Sequence, residues 1–414
     1  MPKIIFRPTP IPRPPFPPPT PVTGPLTFTA KQNGCRIGYI YYSEDYAVQD
    51  AGLNIEYSLD GGETWNIYTM ATDESQAQMI TLNNGETAMF RGNNANLAYY
   101  LEDDDDYQAT KFIIEGQMAA SGDVSSLLNG IGGVLSAPTY CYAFMFSGCL
   151  SLTKAPNLPA TTLANDCYYS MFDGCTSLTQ APILPATTMA DSCYAYMFSG
   201  CTSLTQAPAL PATTMAELCY AFMFNRCTSL TQAPALPATT MADSCYSFMF
   251  NFCTSLTQFP SLPATILASN CYKYMFGGCS SLTQAPTLPA TTLANHCYNA
   301  MFKDCTSLTQ APDLPATTMA DSCYVYMFSG CTSLTQAPTL PSTTLVNNCY
   351  NYMFNDCTSL MYIEALFTTT PDASYTNKWV NGVAQNGTFV KSSEATWDVS
   401  GVNGIPEGWT VRTN

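Results

Sequence analysis

The chain has 414 residues, 46% of them apolar and 11% charged, with a formal net charge of −16. Charged content at about half of ordinary usage leaves a surface built from Ser, Thr, Asn, Gln, Ala and Pro. The excess of acid argues against a nucleic acid partner, which needs clustered Lys and Arg. No run of about 18 or more apolar residues occurs, so no membrane span is expected, and the length predicts several domains.

Residues 1–24 hold ten prolines and the basic residues Lys3, Arg7 and Arg13, with no acidic one. Such an arm is expected to be extended polyproline II. It has no apolar core and no small-residue cleavage site, so it does not read as a secretory signal. One reading is a disordered linker. The other is an anchoring arm docked on an acidic or grooved partner, with Lys3, Ile4, Ile5, Phe6, Arg7, Arg13 and Phe16 as the contact residues.

Residues 25–117 change character. Leu26–Ala30, Asn54–Tyr57, Thr64–Tyr68 and Thr87–Phe90 read as half-buried strands of a small antiparallel β domain. Asp60-Gly61-Gly62 joins two of them as a hairpin. Ser58–Trp65 matches the S-x-D-x-G-x-T-W box of sialidase propellers in a single copy, and it is read as a structural hairpin. Glu102 and Asp103–Asp106 form the densest acidic run. They lack the glycine-punctuated spacing of calcium loops and read as a solvated loop. Residues 118–140 read as the N-terminal cap of a solenoid.

From residue 141 the sequence is periodic. Cys141 recurs every 26 residues to Cys349, and a second series runs from Cys149 to Cys357. The unit is C-Y-x-x-M-F-x-x-C-x-S-L-T-x-A-P-x-L-P-A-T-T-[LM]-A-x-x, in nine copies over residues 141–360. Cys and Met stand at i and i+4, as do Tyr and Phe, which predicts a short helix in C-Y-x-x-M-F. C-x-S-L-T-x-A-P-x-L is expected to be extended and to stack on its copy at roughly 5 Å per unit. Proline there removes a backbone donor, so one or two ladder hydrogen bonds per unit are expected. P-A-T-T-[LM]-A is read as the return turn. No unit can bury its own Leu, Met, Phe and Cys, so stacking must shelter them. Residues 361–414 break the sequence period and read as a C-terminal cap, with a final strand near Tyr362–Phe367.

The pattern M-F-x-x-C-x-S-L-T-x-A-P-x-L-P resembles the BspA-like (Treponema-type) leucine-rich repeat over residues 141–360. The resemblance implies a mixed α/β repeat: a leucine-rich-repeat-type solenoid of nine units behind the β domain and the Pro-rich arm. The combination also resembles repeat proteins of gut Bacteroidales and their crAss-like phages. That likeness implies a virion location and a non-enzymatic head fibre or capsid decoration, held to capsid or fibre-base proteins by the arm. A homo-oligomer, with a trimer as first expectation, would present the solenoid to host-surface or mucosal glycans. The alternative is a bacterial surface or secreted adhesin.

No catalytic constellation is visible, and no cofactor is implied. The in-unit spacing C-x7-C and the single histidine, His296, do not suit zinc. Stacked cysteines could pair as disulfides or pack as free thiols, and free thiols are favoured. The fourth residue of the unit is aromatic in seven of nine copies: Phe144, Tyr196, Phe222, Phe248, Tyr274, Tyr326 and Tyr352. This row reads either as convex-side packing or as stacking platforms for sugar rings. The Thr-Gln of S-L-T-Q, as in Thr179–Gln180, Thr205–Gln206 and Thr231–Gln232, forms a second regular row.

Overall fold

The computed structural model describes residues 24–43, 48–101 and 106–414. The arm residues Lys3, Ile4, Ile5, Phe6, Arg7, Arg13 and Phe16 lie outside the described residues, as do Glu102 and Asp103–Asp105.

The first part is built on nine strands: β1 (Leu26–Ala30), β2 (Cys35–Tyr42), β3 (Ile55–Ser58), β4 (Asn66–Ile67), β5 (Ile80–Leu82), β6 (Thr87–Gly92), β7 (Tyr99–Leu101), β8 (Asp106–Glu115) and β9 (Met118–Ser121). Antiparallel order β5-β2-β8-β7 makes one sheet, and β9-β1-β6-β3-β4 makes most of the other. Alternation drives the pairing. Leu26, Phe28 and Ala30 of β1, with Ala88 and Phe90 of β6, turn inward and are buried. The Asp60-Gly61-Gly62 turn joins β3 to β4 as an antiparallel pair, as the sequence suggests.

This β domain does not end in a free edge. After the short helix α1 (Ser126–Asn129) and strand β10 (Ser136–Ala137), the first repeat supplies β11 (Leu152–Lys154). β11 pairs in parallel with β9, while β12 (Thr162–Leu163) pairs with β10. The Phe112 ring stacks on Phe146 at 5.4 Å and 9°, so the core of the sheets passes without a break into the core of the repeats.

The repeats form a β-solenoid of stacked coils, and the expectation of an α/β repeat is corrected. C-Y-x-x-M-F is not a helix. At the entry to the fourth unit and within it, Leu218, Phe222 and Arg226 have φ of 54°, 56° and 60°, a left-handed residue at every fourth position that no α-helix tolerates. The intervening N–H groups alternate in direction. Ala221, Met223, Asn225 and Cys227 donate three residues back, closing tight turns. Tyr220, Phe222, Phe224 and Arg226 donate to the carbonyls of Cys245, Ser247, Met249 and Asn251 in the next coil, at 2.8–3.1 Å. A helix spends its donors along its own axis; this run of turns frees every second one to bind its neighbour. Among the described residues, helix is limited to α1 and a 3₁₀ turn at Glu74–Gln76.

The roles of the two long sides are therefore the reverse of the sequence expectation. The turn segment carries the dense ladder. The extended segment keeps isolated contacts such as Gln206↔Gln232 and Gln232↔Gln258, as proline requires, and the return segment keeps others such as Thr214↔Thr240. Inside, each unit buries the same set: in the fourth, Cys219, Tyr220, Met223, Phe224, Cys227, Leu230, Leu236 and Ala238 are at most 3% exposed. Each large apolar side chain so sheltered contributes roughly 1.5–3 kcal/mol. The Tyr rings form one file from Tyr142 to Tyr350, with centroids 5.2–6.0 Å apart.

Coil geometry runs on where the sequence period fades. Tyr350, Phe354 and Asp356 donate to Tyr375, Trp379 and Asn381. Strands β13 (Tyr362–Ala365), β14 (Thr388–Lys391) and β15 (Thr410–Thr413) continue in parallel register. Trp379, Trp397 and Trp409 close this end, and each indole N–H donates to a backbone carbonyl, of Gly404, Phe367 and Ala384.

Candidate functional site

The cysteines are free, buried thiols. Those of the second series have a defined partner. The thiols of Cys201, Cys227, Cys253 and Cys279 donate to the carbonyls of Phe172, Phe198, Phe224 and Phe250 in the preceding coil, at 3.1–3.2 Å. Burial pushes the Cys141 and Cys149 thiols up to about 12, which keeps them protonated and unreactive. The columns are structural cement. Among the described residues no group of three or more His, Cys, Asp or Glu could hold a metal ion. No helix there is long and apolar enough to cross a membrane. His296 sits at a left-handed turn position (φ 55°) beside the Asn299 amide.

The aromatic row stands on the turn side, half-buried, at the left-handed position of each coil. Tyr196, Phe222, Phe248 and Tyr274 stack face to face at 4.4–4.7 Å and 5–6°, and Tyr326 stacks on Tyr352 at 4.6 Å. Within each stack the ring faces are turned to one another, so ring edges and tyrosine hydroxyls form the outward surface. Ala300, between the two stacks, is fully buried. Face-to-face contact offsets part of the cost of bulky side chains at positive φ.

The opposite side is an outer band made by T-Q-A-P-x-L-P-A-T-T, repeated from Thr179 to Thr344. Leu and the second Ala of each stretch point inward; Thr, Gln, x and the Thr pair point out. Seven consecutive stretches carry one charged residue, Asp313. The charges of the repeats lie elsewhere, in the turn run, as Asp304 and Asp356, or beside it, as Asp191, Glu217, Asp243 and Asp321. Three Thr hydroxyls of the Thr-Gln row bind inward: Thr179, Thr257 and Thr309 donate to the carbonyls of Thr153, Thr231 and Thr283 of the preceding coil. A shallow cavity of about 410 Å³, lined by Pro208, Leu210, Pro211, Pro234 and Pro237, opens where x is Ala209 and Ala235. The band is half legible in sequence. The Thr-Gln row stands out there as regular, but the Thr pair reads as part of a return turn.

In the β domain the Ser58–Trp65 box is a closed turn. Asp60 accepts from Ser58 and Thr64, bonds that hold its carboxyl well below the usual range. The Trp65 indole donates to Gly62 and carries the Arg91 guanidinium at 3.9 Å, and Arg91 pairs with Glu56. These bonds serve the hairpin itself.

The family model of the BspA type leucine rich repeat region matches this chain in six copies, over residues 136–233, 172–309 and 244–378. Comparison with curated proteins and with solved structures gives no match. The matched residues run from 136 to 378, more than half of the 414, and they coincide with the stacked coils: the chain belongs to the BspA type leucine rich repeat family.

Proposed function

We propose that the chain is a non-catalytic, adhesin-type repeat protein whose outer band is its contact surface. One observation carries this reading: a chain of net charge −16 keeps seven consecutive stretches of exposed Thr and Gln, with Pro and Ala between them, almost free of charge. Repeated neutral groups at a fixed step suit a repeating neutral partner, and glycans or mucins are the class that fits. Each unit adds a weak contact, and the stack multiplies them.

The test is binding of the full chain to immobilised mucin and to a glycan array. Attachment through an uncharged band is expected to hold steady from low salt to about 0.5 M, because nothing there is screened. A steep loss of binding with salt would move the contact to the acidic turn edges and overturn this reading.

The narrower proposal is a phage head fibre or capsid decoration, assembled as a trimer, with residues 1–24 docked on capsid or fibre-base proteins. It has the Pro-rich, basic composition of that arm in support. A bacterial surface or secreted location has the family membership in support. Mass spectrometry of purified particles, with and without residues 1–24, separates the two: loss of the chain from particles on deletion supports the arm as anchor.

A further inference from the structure

The paired threonines of the outer band narrow its ligand. The first of the pair is Thr in all nine units, at steps of 26 from Thr161 to Thr369; the second is Thr in eight, with Ile266 in the ninth. From Thr161 to Thr344 the pair is exposed in every unit. Of the other exposed positions, the Thr-Gln row is as constant from Thr179 to Gln336, while others drift. The x of A-P-x-L is Ile183, Ala209, Ser261, Thr287 and Asp313 in different units.

Packing does not fix the pair, since the side chains face solvent. Nor does internal bonding. The hydroxyls of Thr187, Thr213, Thr239, Thr291 and Thr317 make no hydrogen bond to protein among the described residues. Three hydroxyls of the Thr-Gln row do, those of Thr179, Thr257 and Thr309. The step of the column is set by backbone. Thr214 bridges Thr240, Thr292 bridges Thr318, and the Met215 and Leu293 N–H groups donate to the carbonyls of Thr240 and Thr318. Parallel pairing fixes the spacing at about 4.8 Å per coil. The result is a rigid column of free hydroxyls and methyls, and Ile266 keeps the branched methyl where it loses the hydroxyl.

We propose that this column is the track for a linear, uncharged, β-linked polysaccharide lying along the solenoid axis with its sugars in step with the coils. The assignment rests on the contact-band reading of the proposed function. An extended β-linked chain advances by about one coil spacing per sugar. Its hydroxyls meet the free threonine hydroxyls, and its C–H faces meet the threonine methyls. An anionic polymer is disfavoured by the net charge of the chain, and a flexible α-linked one falls out of step.

The test is retention of the full chain on microcrystalline β-1,4-glucan and on chitin, with heparin beads as the anionic control. The variant Thr213→Val/Thr239→Val/Thr291→Val removes three hydroxyls while keeping shape and strand preference. Gln206→Glu/Gln232→Glu/Gln284→Glu alters the other edge of the band. Wild type is expected on both neutral polymers and not on heparin. The Val variant is expected at least ten-fold weaker, with an unchanged melting curve. Full retention of the Val variant, with loss only in the Gln-row variant, overturns the track and leaves the band. Wild type retained on neither neutral polymer also overturns the track, and the mucin assay then decides the band alone. Retention on heparin alone overturns both.

Discussion

Single side chains in this solenoid are judged by whether their polar atoms find a partner within the stack. The hydroxyls of Tyr168 and Tyr194 are buried and have none among the described residues, whereas Tyr272 and Tyr350 reach the Met241 and Met319 sulfurs. An orphaned buried hydroxyl costs about 1 kcal/mol or more. Tyr194→Phe is therefore expected to raise the urea midpoint by the equivalent of about 1 kcal/mol; a lower midpoint would show that a hidden partner exists. Asp173 is the second case. Burial raises its carboxyl pKa, with a hydrogen bond from Ser199 opposing. A raised folded pKa means that the folded state holds its proton longer than the unfolded one. Stability therefore falls as pH rises above the unfolded value of about 3.9 and levels off beyond the folded one. The corresponding residue is Asn in three other coils, Asn225, Asn251 and Asn355, and the Asn251 amide donates to Gly277 of the next coil. Asp173→Asn should melt higher than wild type at pH 7, and the gap should close near pH 3. A gap that persists in acid would point to packing instead.

The element that sequence reasoning misjudges is the run of turns. Spacing of Cys with Met and Tyr with Phe at i and i+4 suits a helix, and it suits a coil with a left-handed residue every four positions just as well. Hydrophobic periodicity cannot separate them, because both put the same four side chains inside. A signal is present in the sequence: Gly148, Gly174, Gly200, Gly278 and Gly330 recur at one position, and Asp166, Ser192, Asn270 and Asn348 at another. All but Ser are residue types that accept positive φ. It is masked because Phe222, Phe248 and Tyr274 fill the third such position, where propensity predicts none of them. The core is legible in full, since its period depends on side chains alone. The outer band is legible as the regular Thr-Gln row and otherwise as composition, since direction of exposure depends on how the coil bends. The turn run makes its own prediction. Arg226 occupies, at φ 60°, the place of a glycine, so Arg226→Gly should stabilise by about 0.5–1 kcal/mol after the entropy cost of glycine. Gly278→Ala should do the opposite, because its Cβ would meet the Phe252 ring at 2.5 Å. Chemical denaturation of the two variants checks both signs, and equal midpoints would refute the left-handed geometry.

At the scale of the molecule, cohesion is a property of neighbours. Each coil touches the coil before and the coil after, and stability is close to a sum of such interfaces. The ends are then the vulnerable places, and each is closed differently. At one end β9 and the Phe112 ring extend the first coil into a folded domain. At the other, the Cys-Tyr-Met-Phe set gives way to Trp379 and Trp397, packed with Phe367 and Phe389, and to the buried Trp409. Tryptophans cover more area than the residues they replace, and their N–H groups are all spent on backbone. Nothing in the inner units can do this, since each of their faces is shaped for a further copy. Removing residues 219–244, one whole unit, keeps every remaining coil on an equivalent neighbour, and the shortened chain should stay folded and monodisperse. Removing residues 375–414 is far smaller than the solenoid itself, yet it strips the cover from Tyr350 and Phe354, which Trp379 now shields at about 6 Å. That truncation should associate in a concentration-dependent way on gel filtration, because an uncovered coil accepts another copy as readily as its own cap. A truncated chain that elutes at its monomer position at every concentration would mean that the coils need no neighbour, and the stacking account of this fold would fall with it.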